Sequence, residues 1–340
     1  MNKYWKIGII APVLVLIGSR HPSILGTRLN PAAEARFDGS LSVLTYNVKG
    51  LPWPVALGRN AALESIATRL RDMRLSGRAP QIVVLQEAFT GEAQAIGAAA
   101  GYRVIVSGPG ADTPGSTTMS AADRAYASRA RWWKGETEGK FVGSGLQILS
   151  DYPVENVHRL AFPAFACAGY DCLANKGALL ATLKIPGIAM PVDVFTTHLN
   201  SRRASGVEDD RTIYAYRRQV GALTRFIRAN HDPRNPLIVA GDFNVGSAPP
   251  RRTALFTEVH THWTSGSIRD AFDAFEQRGG VLGQDAAWSF RRARDWQFFS
   301  GGTAGSLELT GIEVPFGRER SGGMLSDHVG YTVRYRLRVS

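Results

Sequence analysis

Short apolar runs rich in Val, Ile and Leu, bounded by Gly, Pro or Asp, recur along the chain from Leu41 onward. Their length and composition predict strands over 41–48, 81–88, 102–106, 145–150, 178–185, 192–199 and 237–240. Further strands are expected at 296–300, 306–314 and 330–339. In the last, apolar and Arg positions alternate from Val333 to Val339, so one face should meet a core and the other water. Two segments carry a helical period. Leu63, Ile66, Leu70 and Met73 share a face, as do Ile213, Tyr216, Val220, Leu223 and Ile227. Strands outnumber helices, no strict βαβ rhythm appears and no internal repeat is found. The pattern predicts an α/β (α+β) sandwich of two packed, mainly antiparallel sheets with outer helices. Residues 107–144 are the least regular part, rich in Gly, Ser, Thr and Arg. Strand patterning resumes directly after them, so they read as a long insertion rather than a linker.

Chemistry gathers where these strands end. Gly241-Asp242-Phe243-Asn244 follows the run Leu237-Ile238-Val239-Ala240 and would place two polar side chains on one face at a strand end. Asp is a hard anionic ligand or proton acceptor, and Asn offers both a carbonyl and an amide donor. The same residues are common turn formers, so this segment alone reads equally as a strand-to-turn exit. Tyr46-Asn47, Gln86-Glu87, Thr197-His198 and Ser326-Asp327-His328 repeat the theme. Alone, Glu87 would be a surface residue and His198 a satisfied, partly buried one. Five such endings, on strands whose ends converge on one rim, point instead to a site.

Composition narrows this picture only in part. The chain has 340 residues, 44% hydrophobic and 20% charged, ordinary for a globular enzyme. Its net charge is +11, mostly from dispersed Arg, which favours anionic partners: nucleic acid, an anionic lipid surface or a phosphorylated substrate. At the start, Lys3 and Lys6 precede an apolar run over 7–18, the pattern of an export signal. As a helix that run would span about 18 Å, short of the ~30 Å of a bilayer core. Residues 1–21 are therefore expected to be a signal peptide or an uncleaved signal-anchor, with a short buried helix as the alternative, and 22–40 an irregular lead-in. Export, to a periplasm or outside the cell, is the expected fate, with membrane tethering if the segment is retained. Cys167 and Cys172 could close a small disulfide loop or remain two buried thiols. No His or Cys pattern around them suggests a metal.

The ordered set Tyr46-Asn47, Gln86-Glu87, Thr197-His198-Leu199, Gly241-Asp242-Phe243-Asn244 and Ser326-Asp327-His328 resembles the endonuclease/exonuclease/phosphatase superfamily, which includes DNase I-like nucleases, inositol-polyphosphate phosphatases and neutral sphingomyelinases. Each motif is short, and their joint order and spacing are specific. The resemblance covers nearly all of 41–340 and implies one catalytic domain folded as a four-layered αββα sandwich. The run Asp171-Cys172-Leu173-Ala174-Asn175-Lys176-Gly177, just before a strand, further resembles bacterial neutral sphingomyelinases; an exposed β-turn is its simpler reading. No membrane-inserting hairpin is evident. Trp132-Trp133 and Leu51-Pro52-Trp53-Pro54 are candidates for lipid contact, with ordinary packing the simpler reading.

The resemblance implies metal-dependent phosphodiester hydrolysis. Glu87 would bind Mg²⁺, with Mn²⁺ or Co²⁺ as substitutes, and Asn47 would assist it. His328 would be the general base, oriented by Asp295. Asp242 would position the water or leaving group, and Asn244 would hydrogen-bond the phosphate. A protonated His198 would stabilise developing charge, and Asp327 would complete the metal or histidine shell. Asn175 and Lys176 would contact the substrate phosphate, with Asp171 shaping the site. The expected activity is that of a sphingomyelinase-like phospholipase C, with a secreted nuclease and a catalytically silent binding module as alternatives. Expected partners are a phospholipid surface or nucleic acid; no protein partner is implied, and the chain should be a monomer.

Overall fold

The computed structural model describes residues 28–29, 37–53, 55–319 and 321–339. The expected export segment, 1–21, and most of the lead-in, 22–40, lie outside the described residues, as does Pro54. In chain order the strands are β1 (Arg28–Leu29), β2 (Ser40–Gly50), β3 (Ile82–Ala88), β4 (Val104–Ser107), β5 (Gln147–Ser150), β6 (Val154–Ala161), β7 (Gly177–Leu183), β8 (Val192–His198), β9 (Leu237–Asp242), β10 (Arg269–Asp270), β11 (Asp295–Ser300), β12 (Gly305–Phe316) and β13 (Gly330–Val339). They form one sheet in the order β1-β4-β5-β3-β2-β13-β12 and another in the order β10-β11-β9-β8-β7-β6. Only β2–β3 and β8–β9 pair in parallel; the other pairs are antiparallel. The helices are α1 (Arg59–Leu75), α2 (Gly91–Gln94), α3 (Ile96–Ala99), α4 (Ala121–Ala127), α5 (Asp209–Asn230), α6 (Pro249–His262), α7 (Ala271–Gln277) and α8 (Gln284–Arg292).

Three apolar clusters define four layers. Leu63, Ile66 and Leu70 of α1, with Ala93 and Ile96, cover Leu44, Tyr46, Val83 and Leu85 on the outside of the first sheet. Tyr216, Val220, Leu223 and Ile227 of α5, with Leu255 and Val259 of α6, cover Phe195, Leu237 and Val239 outside the second. Between the sheets lie Leu41, Val43, Ile82, Val84, Val192, Val194, Ile238, Ala240, Phe299, Tyr331, Val333 and Tyr335. The architecture is therefore the expected αββα sandwich. Fully burying each large aliphatic or aromatic side chain contributes roughly 1.5–3 kcal/mol.

The strands follow the expected pattern closely, with some differences. β9 continues to Asp242, because its ladder with β11 runs through Asp295. β6 is an edge strand with mixed exposure, so its sequence, Val-Glu-Asn-Val-His-Arg-Leu-Ala, has no apolar run to reveal it. Helices α6, α7 and α8 lie in a region that lacked a clean helical period. The 107–144 insertion contains α4, capped by Ser120 and Asp123, and a 3₁₀ turn at Trp132–Lys134. It packs on α5, with Tyr126 stacked on Tyr214 at 4.4 Å. Arg336 and Arg338 on β13 are exposed while Val333, Tyr335 and Leu337 are buried, as the alternation predicted. Among the described residues no helix is long and apolar enough to cross a membrane.

Candidate active site

The site is the last layer of the inter-sheet core. Side chains alternate faces along a strand. On β2 the inner face runs Leu41, Val43, then Asn47; on β9 it runs Ile238, Ala240, then Asp242. On β8 it runs Val192, Val194, then His198, and on β11 Phe299 is followed toward the strand start by Gln297 and Asp295. β2, β3, β8 and β9 reach this rim by their C-terminal ends. β11 and β13, antiparallel to β9 and β2, reach it by their N-terminal ends. The same parity that buries aliphatic side chains thus delivers polar ones to a common point when the residue type changes.

Backbone strain sharpens the aim. Among the described residues, those other than glycine at positive φ are Lys49, Glu87, Asn244 and Ala293. Each lies in, or within two residues of, this cluster. In β3, Gln86 keeps the inner parity of Ile82 and Val84 and hydrogen-bonds Thr196 across the sheets at 3.2 Å. The φ of 57° at the next residue re-aims Glu87 toward Asn47 instead of the outer helices. Gly241 has its own reason: a Cβ there would run into the Thr197 carbonyl of β8.

Asn47 joins the two halves. Its Oδ1 accepts the Lys49 N–H, so Nδ2 faces the carboxylates, donating to Glu87 Oε1 at 2.9 Å and Asp242 Oδ2 at 3.0 Å. Burial raises the Glu87 carboxyl above its ordinary range, and neighbouring Asp242 adds to this against the Asn47 hydrogen bond. His328 Nδ1 donates to Asp295 at 2.8 Å, and its Nε2 stands 3.8 Å from Asp242 Oδ2. Burial opposes the charge of His328, but Asp295 and Asp242 outweigh it and raise its pKa to about 9. His198 Nε2 lies 3.5 Å from Asp242 Oδ2 and 3.2 Å from Lys176 Nζ. Burial and the Lys176 charge push it down to about 3. His198 is therefore neutral, contrary to the protonated residue expected from sequence. The positive charge beside Asp242 on that flank belongs to Lys176.

The segment before β7 also differs from expectation. Lys176 has three donors, directed to His198 Nε2, to the Leu199 carbonyl at 3.0 Å and to Asp171 at 3.1 Å. All three are used within the protein, and Lys176 reaches the rim through His198. Asn175 turns away, donating to the Gly110 and Thr113 carbonyls at 2.7 and 2.9 Å, and so fastens the insertion. Asp171 accepts from Lys176 and from the backbone N–H of Ser201. Cys167 and Cys172 are disulfide-bonded around it. Asn244 lies beyond β9, not on its inner face, and spends one amide proton on the Leu199 carbonyl at 3.0 Å. Asp327 sits on the rim, half exposed, 3.6 Å from Lys49; it lies outside the clusters that could share an ion.

Two groups of described residues could hold a cation: Glu87, His198 and Asp242, and Asp242, Asp295 and His328. The second is occupied by the short His328–Asp295 pair. The first offers two buried or half-buried carboxylates bridged only by a neutral amide, a donor set that fits a hard divalent ion. Sequence motifs missed three fastenings. Ser326 Oγ donates to the Asn47 carbonyl at 2.7 Å and accepts from the His328 N–H. Arg59 donates to the Val48, Lys49 and Leu325 carbonyls. Arg251, buried over the Tyr216 ring, donates to the Asn200 and Asn244 carbonyls. Their targets are carbonyls, which leave no mark on the sequence.

Two packed mixed sheets with helices on both outer faces, and a polar cluster at their common rim, define a DNase I-like sandwich. The chain belongs to the Endonuclease/Exonuclease/phosphatase family, whose model matches residues 44–328. Members of this family are metal-dependent phosphoesterases. Among solved structures it is similar to the beta toxin of Staphylococcus aureus, a mutant form with bound magnesium ions, at 15% identity and a TM-score of 0.57, covering 86% of this chain and 99% of that one. It is similar to sphingomyelinase C from Streptomyces griseocarneus at 22% identity and a TM-score of 0.56, covering 87% and 99%. It is also similar to D. rerio TDP2 complexed with a single-strand DNA product, at 16% identity and a TM-score of 0.55, covering 88% and 99%. At these identities the likeness establishes the fold. No curated protein matches the chain by sequence.

Proposed function

We propose that this protein is a Mg²⁺-dependent phospholipase C of the sphingomyelinase type, exported and acting as a monomer on choline phospholipid at a membrane surface. The observation that carries this reading is the chain Asp171–Lys176–His198. It is built from the Asp171 to Gly177 run that resembles bacterial sphingomyelinases, and it ends beside Asp242.

Glu87 and Asp242, with Asn47 beside them, would hold the ion, with Mn²⁺ or Co²⁺ as substitutes. When bound, it supplies Lewis-acid polarisation of the phosphoryl oxygen. Asp242 orients the attacking water, and the half-exposed Asn244 keeps one amide proton for the phosphate. Asp295 holds the His328 ring, so Nε2 faces Asp242. With Glu87 and Asp242 neutralised, two of the carboxylates that retain the His328 proton are spent, and Nε2 can take the proton of the water. The water oxygen bonds to phosphorus as the bond to the lipid alcohol breaks; the departing alkoxide takes a proton from solvent water to leave as the alcohol, and the phosphorylated head group is released.

A second reading, a secreted nuclease, draws on the +11 charge and on the likeness to TDP2 holding a DNA product. A silent binding module is disfavoured by the complete donor set at the rim. The full chain with Mg²⁺ should be assayed side by side on sphingomyelin liposomes and plasmid DNA. Release of phosphorylated head group with intact plasmid is expected. Nicking of the plasmid without lipid cleavage would replace the first reading by the second.

A further inference from the structure

Four large rings stand in water on segments that contact one another, Phe141 N–H bonding the Leu173 carbonyl and Lys134 lying over Tyr170. Trp132 is 68% exposed, Trp133 58%, Phe141 53% and Tyr170 48%. The two Trp rings lie 6.0 Å apart at 86°. For the two Trp, which the sequence offers as candidates for lipid contact with ordinary packing the simpler reading, this exposure excludes burial in a core. An exposed apolar group of this kind marks an interaction surface.

The segment that presents them is firmly held. Glu136 accepts the backbone N–H of Arg131 and of Gly169 at 2.6 and 2.7 Å, and the Arg211 guanidinium at 2.6 Å. Phe141 N–H donates to the Leu173 carbonyl at 2.8 Å, and Tyr170 N–H to the Ser205 carbonyl at 3.0 Å. Gly169, at a φ of 57°, turns the chain where a Cβ would strike the Ser205 carbonyl. The residue after Tyr170 is Asp171, which holds Lys176 and, through it, His198. The segments that carry the rings are thus tied to the catalytic rim through Asp171 and Lys176.

The charges around the rings select the partner. Arg131 pairs with Glu208 at 2.5 Å, Arg211 with Glu136, and Lys134 Nζ lies over the Tyr170 ring at 5.2 Å. Lys140 Nζ turns inward to the Cys172 carbonyl at 2.8 Å. A nucleic-acid strand needs uncompensated cations and parallel faces on which bases stack. Perpendicular Trp rings offer no such stacking faces, and of these cations Arg131 and Arg211 are neutralised by carboxylates while Lys140 is turned inward. The rings suit the interfacial zone of a bilayer, where Trp and Tyr partition with apolar bodies inward. We propose that Trp132, Trp133, Phe141 and Tyr170 form the surface by which this protein docks on a zwitterionic choline-lipid bilayer. The proposal rests on the phospholipid reading for its purpose, but binding can be tested without cleavage.

The test is amide hydrogen exchange of the full chain without Mg²⁺, with and without vesicles of phosphatidylcholine and sphingomyelin, between about 50 and 500 mM salt (chosen to span roughly tenfold in ionic strength). Exchange over 131–141 and 169–173 should slow several-fold with vesicles, with little salt dependence. The W132Q/W133Q variant should lose that protection while its turnover of a soluble aryl phosphodiester is unchanged. Absence of protection in these segments would overturn the proposal. So would protection by a single-stranded oligonucleotide that vanishes with salt, or a parallel loss of soluble-substrate turnover, which would make the rings structural. Vesicle protection without sphingomyelin cleavage would leave the docking surface standing and remove the lipase reading.

Discussion

His198 and His328 flank the same Asp242 carboxylate, 3.5 and 3.8 Å from its Oδ2. Both are almost fully buried. Yet His328 is pushed up to about 9 and His198 down to about 3. Desolvation opposes charge at both, so burial does not separate them. The second neighbour does. His328 Nδ1 has a carboxylate, Asp295, at 2.8 Å, whereas His198 Nε2 has an ammonium, Lys176, at 3.2 Å. Among the described residues His198 Nδ1 has no hydrogen-bond partner. Two histidines chosen by the same sequence argument thus differ in charge: one is cationic and holds a proton, while the other is neutral beside a lysine's charge.

The largest test removes what the comparison leaves out. Treating the full chain with EDTA should abolish phosphodiester turnover, and added Mg²⁺ should restore it; turnover that survives chelation would refute the role given to Glu87 and Asp242. Next, His328→Ala should lower turnover on the order of 10³-fold while the chain still folds, as read by circular dichroism, with a lowered unfolding temperature because Asp295 loses its buried partner. An equal loss in His198→Ala would erase the distinction between the two rings.

Asp295→Asn should cost less, on the order of 10²-fold, and should move the His328 titration from about 9 toward its ordinary value of 6.5, read by histidine NMR in metal-free protein. The folded pKa of His328 lies above its unfolded one. Its contribution is therefore full below pH 6.5 and lost as pH rises through about 9. Denaturant unfolding should show that alkaline decline in the native chain and a flatter one in Asp295→Asn. The smallest effect is expected for Lys176→Met, about tenfold in turnover, with the His198 titration rising from about 3. His198 has the opposite linkage: its lowered pKa contributes stability above pH 6.5 that is lost as pH falls toward 3. The variant should therefore be less sensitive to acid. An unmoved His198 signal would show that Lys176 does not set its charge.

Much of this was legible before the fold was known. Val-, Ile- and Leu-rich runs marked the strands because burial on both faces demands apolar residues at every position. Polar residues at their ends marked the rim, since parity carries the inner face into the site without further instruction. β6 escaped because an edge strand needs no such run. The neutral state of His198 escaped because Lys176 lies 22 positions away and meets it only through the β7–β8 ladder. Asn175 and Asp327 were placed by motif adjacency, which says where a residue sits along the chain but not which way its side chain turns.

The sequence by itself determined the sandwich, its two outer helical layers and the set of chemical groups at one rim, because these follow from local alternation and residue type. Only the tertiary structure decided how those groups divide their work. The charge on a buried ring depends on atoms within about 4 Å, contributed by strands far apart in the chain. The same holds for the exposed rings at Trp132 and Trp133. The sequence left them between lipid contact and ordinary packing, and only the packed structure shows that their rings are exposed.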